Sequence, residues 1–334
     1  MPQHLPLIDP SRVITRLKKR PIVIKDPPPF LDLRAPFNAH AKKLKGAPGS
    51  PISGIEPSGQ GLRVRYQNGV IYQRKDGGTN WVHGAINDRY EELGAGASWL
   101  GLPISDEMDF PDAGRVSVFQ HGSIYWWSDV GAIDLNNTLV QYTGLICDED
   151  SAPEQASFED EPYAILGVLA PDWNNTTRTQ IYEDVVDDEA RGDLIELYRG
   201  KPNGVIISTR LMEHDFGNAD QYRDVVRKAV KEAWDGMKVG IGYIPLVGPI
   251  LQKGADELWP IVKDGLVDTV NKVLDTADDD LGGHVLVLTP KDMVLLAART
   301  PTANILGVTY KTCTSVLGAP EGAKYQVLFN VSAV

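Results

Sequence analysis

Gly61–Ile86 reads GLRVRYQNGVIYQRKDGGTNWVHGAI, and Gly114–Leu139 reads GRVSVFQHGSIYWWSDVGAIDLNNTL. At an offset of 53, Gly69, Ile71 and Tyr72 fall on Gly122, Ile124 and Tyr125. This is an internal repeat, and it fixes the architecture of the first half of the chain. In each copy apolar residues alternate, Gln-Asn-Gly or Gln-His-Gly marks a tight turn, and an aromatic strand follows; that is the pattern of a β-hairpin. Between the copies, Ile86, Tyr90 and Leu93 recur at helical spacing, Gly94 and Gly96 stop the helix, and Leu100-Gly101-Leu102-Pro103 begins a fixed turn.

The 334 residues suffice for two domains, and 42% hydrophobic residues suffice for a packed core. The net charge is −12, unevenly spread: residues 1–51 hold ten Lys/Arg against three Asp, so the remainder carries −19. An acidic body repels phosphate, which argues against nucleic acid as a partner and favours cations. Residues 1–51 also hold ten of the 23 prolines and read as a basic, extended arm. Its start lacks the apolar stretch of an ordinary secretory signal, and no run of about 18 apolar residues marks a membrane-spanning helix. Cys147 and Cys313 give neither metal-site spacing nor a disulfide framework; two buried thiols or one mutual pair both fit.

Residues 52–143 resemble the LGFP repeat of actinobacterial cell-envelope and other extracellular bacterial proteins. The resemblance is carried by Gly84, Ile86, Tyr90, Leu93-Gly94, Ser98, Leu100-Gly101-Leu102-Pro103, Glu107, Gly114-Arg115, Phe119, Gly122, Ile124-Tyr125-Trp126 and Gly131-Ala132. It covers one full unit and a partial one, and it implies attachment to cell-wall or other glycans. Trp81, Trp99, Tyr125, Trp126 and Trp127 supply rings for stacking on sugars, although aromatic residues equally build small cores. Trp126 and Trp127, adjacent on a strand, face opposite sides, so one of them should be less buried.

The remainder, 144–334, reads as an antiparallel β-sandwich with strands at Tyr163–Ala170, Leu194–Gly200, Asn203–Asp215, His284–Pro290 and Lys324–Val334, and a further one within Ala303–Thr312. Two amphipathic helices joined by VGIGYIPLVGPIL are inserted at about 219–277. The expected class is therefore α+β: a small hairpin-and-helix domain followed by a sandwich carrying a helical hairpin.

Acidic residues gather at three strand ends: Asp160 and Glu161; Glu213 and Asp215; Asp278, Asp279 and Asp280. Calcium takes six to eight oxygens and tolerates flexible loops, so carboxylates meeting at one rim would suit it. Twelve-residue frames from Asp278 or Asp280 end at Thr289 and Lys291, which excludes an EF-hand. The segments MEHDFGNAD and DDDLGGHVLVL resemble the acidic loops of the C-2 domain of synaptotagmins and protein kinase C. That resemblance implies calcium as cofactor, with Glu213, Asp215 and Asp279 or Asp280 as ligands, Asp160 joining from the first loop, and a lipid membrane as a partner.

No His-Glu-x-x-His, Gly-x-Ser-x-Gly or phosphate-loop motif is present, and no nucleophile can be placed beside any of the six histidines. The sequence thus points to a non-enzymatic, envelope- or glycan-interacting bacterial protein, extracellular or at the cell surface by a route without an ordinary signal peptide. A membrane-active toxin or secreted effector is the alternative, with Ile241, Tyr243, Ile244, Leu246 and Val247 in contact with lipid. A hydrolase using the acidic residues and His214 or His284 is the third reading.

Overall fold

The sequence repeat becomes two four-stranded antiparallel meanders. The first has β1 (Glu56–Ser58), β2 (Gly61–Tyr66), β3 (Gly69–Gln73) and β4 (Thr79–Val82); the second has β5 (Met108–Phe110), β6 (Gly114–Val118), β7 (Ser123–Trp127) and β8 (Gly131–Leu135). A helix precedes each: α1 (Ala35–Lys43) and α2 (Gly84–Glu92), the latter followed by a short 3₁₀ turn at Ala95–Ala97. The computed structural model describes residues 32–150, 160–171, 173–214, 279–298, 303–305, 308–310, 312–318 and 323–334. The helical insertion expected at about 219–277, with the candidate lipid-contact residues Ile241, Tyr243, Ile244, Leu246 and Val247, and the candidate metal ligands Asp215 and Asp278 lie outside the described residues.

The alternation of apolar residues gives each meander two buried faces. In the first, Val64, Tyr66 and Ile71 close on Phe37 of α1, while Val70, Tyr72 and Val82 turn to Ile86 and Tyr90 of α2. The Tyr72 and Tyr90 rings meet edge to face at 5.2 Å, a favoured arrangement for aromatic quadrupoles. In the second, Phe119 and Ile124 close on α2, and Val116, Tyr125, Trp127 and Leu135 enter the core of the second half.

Two expectations need correction here. Residues 35–51 are not an extended arm: Pro36 opens α1 at a position where the missing N–H costs nothing, Phe37 is buried, and the segment completes the first unit. The boundary at 143/144 also moves, because β9 (Thr138–Glu149) runs through it. Its ladders to both neighbouring strands continue past the Thr143-Gly144 step, each with a β-bulge at that point and Gly144 at φ +140°, so the strand bends where composition changes but does not end.

The second half is mostly antiparallel β. One sheet has the order β11 (Trp173–Arg178), β10 (Pro162–Ala170), β13 (Val205–Glu213), β14 (Asp279–Leu288); another has β12 (Ala190–Gly200), β9, β18 (Lys324–Ala333), β17 (Thr312–Gly318). A two-stranded ribbon pairs β15 (Ala303–Ile305) with β16 (Val308–Tyr310). Ala164, Leu166 and Val168 of β10 share a core with Val140, Leu145, Val327 and Phe329 of β9 and β18. All nine residues of β10 are buried, the mark of a strand covered on both faces. A helix, α3 (Pro290–Ala298), follows β14 and lies against β8, β9 and β18. Thr289 and Asp292 cap its start reciprocally: the Thr289 N–H and hydroxyl donate to Asp292 Oδ2 at 3.0 and 2.7 Å, and the Asp292 N–H donates to Thr289 Oγ1 at 3.1 Å. Cys147 is a free, buried thiol that burial pushes up to about 12. Among the described residues no helix is long and apolar enough to cross a membrane.

Candidate functional site

Each unit is organised by a glycine turn that hooks onto its own hairpin. Gly49 and Gly101 have φ of +77° and +68°, and a methyl group on either would stand 2.6 Å from the side-chain oxygen of Gln67 or Gln120. Only glycine fits both the left-handed backbone and that approach. The same glutamine oxygens accept the backbone N–H of Ser50 at 3.0 Å and of Leu102 at 2.8 Å. Three residues further on, the Ser53 hydroxyl accepts from the Arg65 N–H at 3.0 Å, and the Ser105 hydroxyl from the Val118 N–H at 2.9 Å. Ile52 and Ile104 each donate a backbone hydrogen bond of 2.8 Å to the edge of the hairpin, and their side chains are left 66% and 47% exposed. Both units are therefore complete. The sequence carried the signal, since Gly49-Ser50-Pro51-Ile52-Ser53 parallels Gly101-Leu102-Pro103-Ile104-Ser105. The change of offset from 52 to 53 hid it; one extra residue in the β5–β6 turn relative to β1–β2 accounts for the change.

The five aromatic residues singled out from sequence separate clearly. Trp127 is 1% exposed, with its indole N–H donating to the Pro111 carbonyl at 3.0 Å, and Tyr125 is buried beside it. Neither ring is open to a sugar: the face of β7 that carries them meets the second half. Trp126, on the opposite face, is half-buried and packs against the core around α2. Trp81 is half-buried, stacked on His83 at 3.9 Å and donating to the Asn68 carbonyl at 3.1 Å. Trp99 is the open one, at 46% exposure.

Trp99 is also held. Its indole N–H donates to Asp134 Oδ2 at 3.2 Å, and Asp134 Oδ1 receives the Arg89 guanidinium at 2.9 Å. That hydrogen bond, more than any other influence, raises the Arg89 pKa. The far edge of the ring lies over Gly122, where a methyl would come within 2.7 Å of it. The ring is thereby fixed at one edge by a hydrogen bond and at another by contact with backbone, with exposed surface remaining. A fixed exposed indole is a stacking platform that loses little side-chain entropy on binding.

Behind these surfaces, Glu91 of α2 ties the units together. Its carboxylate accepts from Arg63 at 2.9 and 3.0 Å, from Arg65 at 3.2 Å and from the Tyr72 hydroxyl at 2.7 Å. Burial works against the charge, but the Tyr72 hydrogen bond and the two guanidiniums outweigh it, so the Glu91 carboxyl stays below the ordinary glutamate value. A cavity of about 300 Å³ opens on the first unit beside Gln60, Gln73, Arg74 and Lys75, with the Lys75 ammonium donating to the Gln60 side chain at 2.6 Å.

The predicted acidic rim is placed as follows. Strand register sets Glu213 opposite Pro162 on one side and Asp279 on the other, with Asp280 opposite Met212. Asp160, Glu161, Glu213, Asp279 and Asp280 thus belong to one end of one sheet. The Asp160 carboxylate, however, is buried and accepts the Tyr325 hydroxyl from the other sheet, a poor fit to an open calcium ligand. Burial first, and then Asp160, drive that hydroxyl far above the usual tyrosine range. The Glu161 carbonyl receives the His214 N–H at 3.0 Å. Among the described residues no three His, Cys, Asp or Glu side chains stand close enough to share a metal ion.

No curated protein matches the chain. Residues 49–98 and 100–141 each match the LGFP repeat, so two copies of that repeat stand in tandem between residues 49 and 141 of this chain.

Proposed function

We propose that the tandem LGFP units attach this protein to a bacterial cell-envelope glycan, with Trp99 as the principal stacking surface. The role is one of binding rather than catalysis, exercised outside the cell or at its surface. One observation carries the reading: Trp99 is an exposed indole on a repeat unit, oriented by Asp134 and Gly122 rather than by burial. The cavity beside Gln60, Gln73 and Lys75 offers amide and ammonium groups for sugar hydroxyls on the neighbouring unit. The second half, read as a sandwich because its two sheets share one core, serves as the body that the repeats tether.

The test is retention of the full chain on insoluble bacterial cell-wall polysaccharide. Trp99→Ala is expected to cut the affinity about tenfold, the worth of one aromatic stack, in a protein that still folds cooperatively. Full retention by a folded Trp99→Ala protein refutes the assignment.

A second reading, calcium at the sheet end, draws support from the register that sets Glu213 beside Asp279. Glu161, Glu213, Asp279 and Asp280 would be its oxygen donors. Saturating calcium should then raise the melting temperature over that in excess chelator, since a ligand that prefers the native state stabilises it; identical melts end that reading.

A further inference from the structure

A second cavity, of about 460 Å³, lies at the end of β12 and the turn after it, lined by Glu196, Leu197, Tyr198, Arg199, Lys201 and Asn203. Its volume falls in the range of small-molecule sites, about 300–1,000 Å³. Leu197 and Tyr198 are buried in the core behind it; the Tyr198 hydroxyl donates to the Lys201 carbonyl at 2.6 Å and ties down the turn.

The two cations of the cavity are placed differently. Arg199 is answered inside the cavity: its Nε and Nη2 donate to the two oxygens of Glu196 at 3.0 and 2.7 Å. Lys201 has no carboxylate within salt-bridge distance among the described residues. Its ammonium donates to the carbonyl and side-chain oxygens of Asn136 at 3.0 and 3.2 Å. An ammonium has three N–H donors, so one remains. Burial alone lowers the Lys201 pKa, as expected of a cation taken partly out of water without a counter-charge. The cavity thus carries one unanswered positive charge in a chain of net charge −12. Screening confines the repulsion of that acidic body to roughly 8–10 Å at ordinary ionic strength, so the local cation governs what enters.

We propose that this cavity binds an acidic sugar residue, its single carboxylate on Lys201 Nζ and its hydroxyls on Asn203 and the outer edge of Glu196. One free donor and one free charge match a singly charged group; a phosphate dianion wants more donors than the site holds. The choice of a sugar as carrier rests on the glycan reading above, whereas the charge does not.

Calorimetric titration of the full chain with glucuronate, glucose, acetate and inorganic phosphate tests this. Glucuronate is expected to bind and glucose not to, with affinity falling as salt rises. Lys201→Gln is expected to weaken glucuronate about tenfold, the worth of one charge-assisted hydrogen bond, and Lys201→Arg to restore most of it at the same melting temperature. Trp99→Ala should leave glucuronate binding untouched, which separates failure here from failure of the repeat assignment. Equal binding of glucuronate and glucose, or undiminished binding by Lys201→Gln, overturns the site. Acetate binding as well as glucuronate overturns the sugar, and phosphate binding better overturns the carboxylate.

Discussion

The two LGFP units share a skeleton and differ in what they present. The glycine turn, the glutamine that clamps it and the serine that caps it recur as Gly49, Gln67 and Ser53 and as Gly101, Gln120 and Ser105, with hydrogen bonds matching to within about 0.2 Å. Elsewhere the pairs diverge: Gln73 against Trp126, Arg74 against Trp127, Trp81 against Asp134. The divergence follows from what each unit packs on. One face of the first meander closes on α2 of the next unit. The corresponding face of the second has no third unit to meet; it closes on the second half, where α3 stands against β8 and Lys291 lies over the Trp127 ring at 5.8 Å. Helix α3 and the sheets of the second half thus cover a face that has no further repeat helix on it among the described residues. Repeat arrays require such caps at their ends, and here the neighbouring domain provides one.

The largest break in this pairing comes from one repeat position. Trp127→Ala removes a fully buried ring from the junction and is expected to cost about 3–5 kcal/mol. Arg74→Ala, at the equivalent site of the first unit, gives up hydrogen bonds to Asn80, Asp76 and the Pro103 carbonyl and is expected to cost about 1–2 kcal/mol. Denaturant unfolding of both variants measures the difference. Equal losses would mean that the second unit does not lean on α3.

The glycine turns should behave in the opposite way, alike in both units. Gly49→Ala and Gly101→Ala each force a positive φ on a residue with a side chain and push the glutamine oxygen off its N–H. About 1–3 kcal/mol is expected for each, with the two agreeing within about 1 kcal/mol by the same unfolding measurement. A clear inequality would mean that the shared skeleton is not shared in energy.

This contrast also shows what sequence makes legible. The hairpins of both units, the helix between them and the strands at Tyr163–Ala170 and Lys324–Val334 are written in local alternation, and the strands form close to where it places them. Burial of Trp127 rather than Trp126 is not local, because it depends on which face of β7 meets the second half; alternation says only that the two differ. Trp99 looks like any other tryptophan until Asp134, 35 residues away, is seen to hold it. Helix α3 was legible and missed: Thr289-Pro290-Lys291-Asp292 carries a capping pair and a proline at the first turn, but the apolar strand running into it masks the change of period. Lys201 gives no sequence signal, since its lack of a counter-ion among the described residues is a property of the space around it.

The tie between the units should be sensitive to acid. Glu91 has a lowered folded-state pKa. Its contribution is therefore complete above the unfolded glutamate value, about 4.3, and is lost as pH falls through the lower, folded value. Glu91→Gln is expected to cost about 1–2 kcal/mol at pH 7 and progressively less as pH drops below about 4. Paired urea melts at pH 7 and pH 3 check the sign. A gap between the two proteins that stays constant across that range would mean that the arginines find other partners when Glu91 is replaced.

The smallest effect belongs to the cap itself. The Lys291 ammonium meets Asp129 at 2.8 and 3.0 Å and sits over Trp127, but both charges reach solvent, where ion pairs contribute little. Lys291→Met keeps the stem that covers the indole and removes only the charge. Its melting temperature is expected to fall by about 2 °C in low salt and to match that of the parent in 1 M salt, where surface attraction is screened. A drop of Trp127→Ala size would place the junction's strength in this pair rather than in the packed ring, and α3 would then be a charged clasp instead of an apolar cover.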